Sequence, residues 1–545
     1  MKKSLILSLV TGIMMSVLVS CGSDSNDGSG EMFDASLYKN PQSLDPQIAC
    51  DVSSRTVISN MFSGLLALDS EGAIVSDNAE SYEISDDGLT YRFRLRRDNY
   101  WFCDLNGDED YSEGEYFPVT ANDYVFAFRR LFNPDTKSEL AGNFICIKNS
   151  EKVLSGKLAP EETGVYAEDD YTLVFQLEHS SADFLKLLTT TPALPCNEEF
   201  FYSTKGRYGL DEDSVISNGA FFMRQWFYDP YGNHNILYMK RNSVNSQYDK
   251  VYPSYLSFSI EDSQEDINSE FISSDLDCIS TLAFDNKFNK RKYSYDSYRS
   301  ITLGLIFNPD DPVYSNLNLR KALAYGINRE SAKEKIDSDV EMAGGLIAPA
   351  ITLLGRSYRE LSADDTLSVY DESKALEYFN NAKSELKREA FDPVKILVCN
   401  ESVNPDELHI LSQQWSDLLG IYIGIEEVTE SDFYSRLDSG DYSIALYPVT
   451  ADYNSGISFL YQFSSNPYFD IKSDTKQSIT DLSYIANAQD YVSAFSDTER
   501  DILNQYCYIP VFYKNTYLVM KSENTDILYE PFSQAVNFQY AKNFD

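Results

Sequence analysis

The sequence predicts a large α/β protein, and three observations carry that reading. The first is size: 545 residues, 43% of them hydrophobic, supply ample material for large cores and more than one domain. The second is alternation broken by a turn. Ala79-Glu80-Ser81-Tyr82 and Tyr91-Arg92-Phe93-Arg94-Leu95 read as paired strands around Asp86-Asp87-Gly88, a hairpin sequence. The third is helical spacing elsewhere. Thr120 or Asn122 provides an N-cap for an amphipathic helix predicted over 123–132 and stopped by Asn133-Pro134. Leu319, Leu323 and Ile327 fall on one face of another helix and read as core.

Composition narrows function. The formal charge is −40, and −42 once a leader carrying Lys2 and Lys3 is removed, with 43 basic residues against 85 acidic ones. Phosphate contact needs basic patches, so the balance argues against nucleic acid. Forty Tyr and 32 Phe suit sites that enclose and stack on small molecules, although most of them must serve the core and surface. His179, His234 and His409 are far apart, and no GxSxG, HExxH or Walker motif occurs. That speaks against a His-rich metal site or a Ser-His-Asp enzyme. Outside Cys21, the seven scattered cysteines Cys50, Cys103, Cys146, Cys196, Cys278, Cys399 and Cys507 make no CxxC pair, and most are expected to be buried and reduced.

The start of the chain reads as export and anchoring. Lys2 and Lys3 precede an apolar run, Leu5 to Val19, that is too short and too near the start for a stable span. Leu18-Val19-Ser20-Cys21 fits a lipobox, with cleavage before Cys21 and a lipid on its thiol. The segment from Gly22 to Gly30 is rich in Gly, Ser, Asp and Asn and reads as a flexible tether.

Two local features hold candidate ligands. Between Asp104 and Glu115, oxygen-bearing residues fall at the calcium-loop positions 1, 3, 5, 9 and 12: Asp104, Asn106, Asp108, Ser112 and Glu115. Glu109 stands where such loops turn on Gly, so the alternatives are a Ca²⁺ site and a solvated acidic loop. The second feature is Asp452. It follows an apolar run, Tyr442 to Tyr447, that reads as a buried strand ended by Pro448. A carboxylate in a partly dry site needs a cation. The nearest basic residue upstream is Arg436, and none follows until Lys472, so the partner need not be protein. The alternatives are that Asp452 caps a helix beginning near Ser455 or faces water.

A series of motifs runs along the chain in a fixed order. They include Asn40-Pro41-Gln42-Ser43-Leu44-Asp45-Pro46, Met61-Phe62-Ser63-Gly64-Leu65-Leu66, the 79–96 hairpin, Val119-Thr120-Ala121-Asn122-Asp123 and Val215-Ile216-Ser217-Asn218-Gly219-Ala220-Phe221, in which Asn218-Gly219 reads as a positive-φ turn feeding a strand. Leu319-Arg320-Lys321-Ala322-Leu323, Gly440-Asp441-Tyr442-Ser443-Ile444, Ala451-Asp452-Tyr453 and Ile509-Pro510-Val511-Phe512-Tyr513 complete it. This order resembles the bacterial extracellular solute-binding proteins of family 5, the substrate-binding lipoproteins of oligopeptide and dipeptide ABC importers.

The resemblance implies a two-lobed periplasmic-binding-protein-like fold (type II) with an extra subdomain in the N-terminal lobe. Its expected divisions are signal peptide 1–20, lipid anchor and tether 21–35, lobe I from 36–62, 200–299 and 511–545, extra subdomain 63–199, and lobe II 300–510. It implies a monomer outside the cytoplasmic membrane that binds a peptide, needs no cofactor and delivers to permease subunits. It assigns the peptide α-amine to Asp452, and places Tyr453, Val449, Thr450, Asp51, Val52, Leu140 and Arg436 around the ligand. The chain departs from the family in having Pro448 and Val449 where Gly and Trp are usual, and leucines at 437 and 446 where some members carry an Arg for the peptide carboxylate. The same fold also serves metal complexes, haem and sugars, and a lipid-anchored hydrolase is the rival enzymatic reading.

Overall fold

The computed structural model describes residues 32–104, 114–232, 235–273, 276–336, 340–362, 367–400, 402–485 and 488–543. Cys21, with the leader and most of the tether, lies outside these residues, as do Asn106, Asp108 and Ser112. Three larger sheets organise the chain. The first orders four strands as Met32–Tyr38, Tyr255–Glu261, Ile236–Arg241 and Phe221–Phe227, with only the first pair parallel. The second is antiparallel throughout: Ala79–Ile84, Thr90–Leu95, Thr172–Gln176 and Val165–Asp169. The third, of seven strands, runs Cys278–Thr281, Tyr508–Lys521, Tyr293–Phe307, Ile444–Val449, Val394–Cys399 and Ile423–Val428, with Val340–Met342 paired beside Tyr508–Lys521.

Local chemistry explains several of these elements. Gly88 turns the 79–95 hairpin at φ +68°, and its N–H donates to the Ser85 carbonyl at 2.8 Å. The helix predicted from Asp123 begins at Ala121, because Thr120 is the N-cap and Asp123 reaches back to accept from its N–H at 2.7 Å. Two expectations are corrected. Gly219 is not in the left-handed region; it is needed because a Cβ there would lie 2.5 Å from the Met61 carbonyl carbon. The strand before Asp452 does not stop at Pro448 but continues through it to Val449. The neighbouring strand Val394–Cys399 pairs it only at Ile444 and Ala445, so Pro448 sits where one flank is open.

One apolar cluster, including Phe33, Val57, Phe93, Trp101, Phe128, Phe175 and Phe258, joins the two four-stranded sheets. The seven-stranded sheet is covered on both faces. Leu303, Leu305, Leu319, Leu323, Trp415 and Val511 share one cluster, and Ile306, Ala445, Phe459, Phe463 and Tyr508 share another. The alternation along Leu303 to Phe307 sorts the two faces. Trp415 is fully buried, and its Nε1–H donates to the Leu323 carbonyl at 2.9 Å.

Two strands, Tyr293–Phe307 and Tyr508–Lys521, are long enough to serve two cores. Their outer halves pair from Tyr293↔Lys521 to Tyr298↔Thr516, and the register shifts before Ile301↔Lys514. Tyr293, Tyr517 and Val519 pack with Ile267, Phe271 and Ile279, whereas Ile301, Leu303 and Ile509 belong to the second lobe. At the shift, the buried hydroxyls of Ser300 and Thr516 meet at 3.2 Å. Further along, Gly304 lets the Tyr508 ring lie across its strand, with the Tyr508 hydroxyl donating to the Thr302 carbonyl at 2.7 Å. A Cβ at Gly304 would sit 2.3 Å from that ring. Gly304→Ala is therefore expected to cost about 1–3 kcal/mol of stability. Chemical denaturation checks this, and an unchanged midpoint would show that the ring has room to move.

Candidate functional site

The loop Thr450–Ser455 links the strand Ile444–Val449 to the helix Gly456–Ser465. It is held at both ends. Thr450 Oγ1 donates to the Ser300 carbonyl at 3.1 Å, tying the loop to the joint between the long strands. Ser455 is the N-cap, its Oγ accepting from the Ser458 N–H. The Asp452 N–H donates to Ser458 Oγ at 3.0 Å, and Asn454 Oδ1 accepts from the Thr352 N–H at 2.9 Å. Since Ser455 caps the helix, the Asp452 carboxylate is left for other work.

That carboxylate is half-buried and points across to the N-terminal part of the chain. Its Oδ2 accepts from Asn143 Nδ2 at 2.8 Å, and among the described residues it forms no ion pair. Asn143 belongs to the short turn Ala141–Phe144 that begins at buried Leu140. The turn lies close against the second lobe: a Cβ on Gly142 would meet the Tyr461 hydroxyl at 2.6 Å. Tyr461 is raised above the usual tyrosine range by burial first and by Asp452 second. A carboxylate whose protein partner is a neutral amide can still take up a cation.

The helix Val52–Met61 carries two more of the residues singled out in the sequence. Asp51 is its N-cap and accepts from the Ser54 N–H at 2.8 Å, and Val52 opens the helix. The preceding loop is pinned by Arg130, whose buried guanidinium bonds the Asp45 carboxylate and Gln47 Oε1. Burial pushes the Cys50 thiol up to about 11; Arg55 acts to lower it, and Glu139 and Asp452 act to raise it.

Further contacts clasp the two lobes. Lys186 Nζ donates to the Asn454 carbonyl at 2.8 Å, Ser455 Oγ to Asp183 Oδ2 at 2.5 Å, and Lys39 pairs with Glu430 at 2.8 Å. The His179 and Tyr484 rings lie 4.0 Å apart. Tyr453 is buried, with its ring in the N-terminal apolar cluster, and burial raises its hydroxyl well above the usual range.

The residues singled out in the sequence are thus placed as follows. Asp452 and the turn after Leu140 meet, and Asp51 caps the helix that Val52 opens. Val449 is buried beneath the loop, and Thr450 bonds backbone. Arg436 is engaged elsewhere, with Glu426 at 3.1 Å and Asp441 at 3.1 Å. Asp104 pairs with Arg224 at 2.9 Å, and among the described residues no group of three or more His, Cys, Asp or Glu could hold a metal ion. Sequence reasoning missed Asn143, Lys186 and Asp183.

Residues 73–470 match the family model described as bacterial extracellular solute-binding proteins, family 5 Middle. The oligopeptide-binding protein OppA of Bacillus subtilis is 25% identical over 490 residues, which cover 85% of this chain and 84% of that one. The probable deoxycholate-binding periplasmic protein YgiS of Escherichia coli is 24% identical over 535 residues, covering 90% and 89%. Among solved structures, Listeria monocytogenes OppA bound to peptide superposes with a TM-score of 0.76 at 23% identity, covering 95% of this chain and 100% of that one. The fold is the two-lobed one of these proteins.

Proposed function

We propose that this chain, which belongs to the bacterial extracellular solute-binding proteins of family 5, captures peptides between its lobes and hands them to the permease of an ABC transporter. As a member of a solute-binding family it binds its ligand and does not transform it. The observation that carries the peptide reading is Asp452: a half-buried carboxylate with a neutral partner, facing the other lobe. A peptide α-ammonium entering there would meet Asp452 and the amide oxygen of Asn143. The peptide would lie extended, its main chain bonding to the strand edge that runs up to Val449. Side chains would sit in water-filled space, which tolerates many sequences.

The lobes would open and close about Ser300 and Thr516, where the long strands cross between cores. Lys186, Asp183 and Asn143 would re-form their contacts with the 452–455 loop at each closure. Oligopeptide- and dipeptide-binding proteins among the relatives support this reading. Leucine at 437 and 446, together with the engagement of Arg436, leaves Arg436 outside the ligand shell in this account. Binding needs no cofactor. Of the five residues named for Ca²⁺, Asp104 pairs with Arg224 at 2.9 Å.

The anchor is the lipid on Cys21, holding a monomer on the outer side of a membrane. No helix among the described residues is long and apolar enough to cross one. Cys21→Ser should release the protein into the soluble fraction. Retention on membranes after a high-salt wash would exclude acylation as the anchor.

Asp452→Asn keeps the shape and removes the charge. Breaking a buried ion pair costs about 3–5 kcal/mol, or roughly two to four decades of affinity. By calorimetry, N-acetylating a peptide should weaken binding to the wild type by that amount and to the Asn variant far less. Equal affinity for free and acetylated peptides in the wild type would remove Asp452 from the role. Heat with a bile acid, sugar or metal complex but with no peptide would move the ligand to another class.

A further inference from the structure

Away from the loop that carries Asp452, a cavity of about 510 Å³ opens beside the paired strands Tyr100–Phe102 and Tyr116–Pro118 and the turn that follows Ile236–Arg241. Tyr100, Tyr116 and Tyr248 line it together with Asp98, Asp249 and Asn245. It shares no lining residue with the Asp452 site. The fold holds its walls in place. Asn245 is buried, donating from Nδ2 to the Asn218 carbonyl at 3.0 Å and accepting at Oδ1 from the Gln247 N–H at 2.9 Å. The Phe102 N–H ties the strand pair to the Ser217 carbonyl at 2.7 Å.

Two chemistries meet in this cavity. The Tyr100 and Tyr116 rings pack edge to face, with centroids 5.7 Å apart at 89°, and among the described residues neither ring carries a cation. Tyr248 already takes the Arg241 guanidinium over its ring at 4.5 Å. Asp98 and Asp249 are exposed, and among the described residues neither forms an ion pair or a side-chain hydrogen bond. The two arginines beside Asp98 in sequence are used elsewhere: Arg96 Nε donates to the Asp77 carbonyl at 2.8 Å, and Arg97 lies over the Tyr171 ring at 4.3 Å. Tyrosine faces attract a cation through the ring quadrupole, and carboxylates attract it by charge and hydrogen bonding. An anion would be repelled by both, and a wholly apolar ligand would cover carboxylates without pairing them.

We propose that this cavity is a second ligand site and takes a small aliphatic amine. The ammonium bonds Asp98 or Asp249, and the methylenes lie along the Tyr100 and Tyr116 rings. The site is independent of the peptide reading, since no residue of it serves the α-amine at Asp452.

The test is calorimetry of the full chain at physiological salt with putrescine and with its diol analogue, which has the same carbon chain and no charge. Putrescine should bind and the diol should not. Asp98→Asn with Asp249→Asn should weaken putrescine roughly 10-fold, as for two exposed ion pairs. Tyr116→Leu should weaken it about 2- to 5-fold through the lost ring face. Asp452→Asn should leave it unchanged, which separates this cavity from the site between the lobes. Both carboxylates are exposed and bond nothing within the described chain, so the double variant keeps the fold, and Tyr116→Leu probes the cavity independently. Absence of heat with putrescine, or equal binding of the diol, would overturn the amine assignment. Putrescine binding that survives the double variant, or that is lost in Asp452→Asn, would overturn the placement in this cavity.

Discussion

Two strands have to satisfy two cores at once, and the rest of the architecture follows from how they do it. Tyr293–Phe307 and Tyr508–Lys521 pair over most of their lengths, but the pairing is interrupted where one core ends and the next begins. The interruption is polar: Ser300 and Thr516 bury their hydroxyls against each other, and Thr450 bonds the Ser300 carbonyl. Apolar side chains there would weld the cores into one. Hydroxyls keep the backbone satisfied while leaving little packing to resist rotation. The 450–455 loop therefore hangs from the joint itself, and with it the contact between Asp452 and Asn143.

Electrostatics gives that movement a purpose. Asp452 is half-buried, and Asn143 is the neutral group that touches it. Among the described residues Asp452 forms no ion pair. A ligand bringing an ammonium would supply the missing charge at the moment when closure removes water. Closure and recognition are then one event, since each pair is worth more once solvent is excluded. The contacts made by Lys186, Asp183 and Lys39 add directional grip with little apolar burial, which suits a clasp that must also release.

What the sequence made legible was local. The Asp86-Asp87-Gly88 turn, the Thr120 cap, the Leu319/Leu323 face and the Ser455 helix start all depend on residues a few positions apart. The motif order carried the family and the two-lobed fold. Pro448 misled because the rule against proline in strands assumes both flanks are paired. Gly219 misled because its need comes from Met61, far away in sequence, and not from its own φ. The site was half legible. Asp452 stood out as a carboxylate among small and aromatic residues, but Asn143 is separated from it by 309 positions and has no pattern of its own. Arg436 was the nearest basic residue in sequence, and it is spent on Glu426 and Asp441. Lys186, which reaches the Asn454 carbonyl at 2.8 Å, was passed over because proximity along the chain was the only distance available.

The central claim is one of orientation: a free α-amine held by Asp452 between closed lobes. A crystal structure of the full chain with a tetrapeptide of free N-terminus tests it most directly. The account predicts the peptide nitrogen within hydrogen-bond distance of an Asp452 carboxylate oxygen, with the main chain running along the Tyr447–Val449 edge. A peptide bound in the reverse direction, or bound away from Asp452, would contradict it.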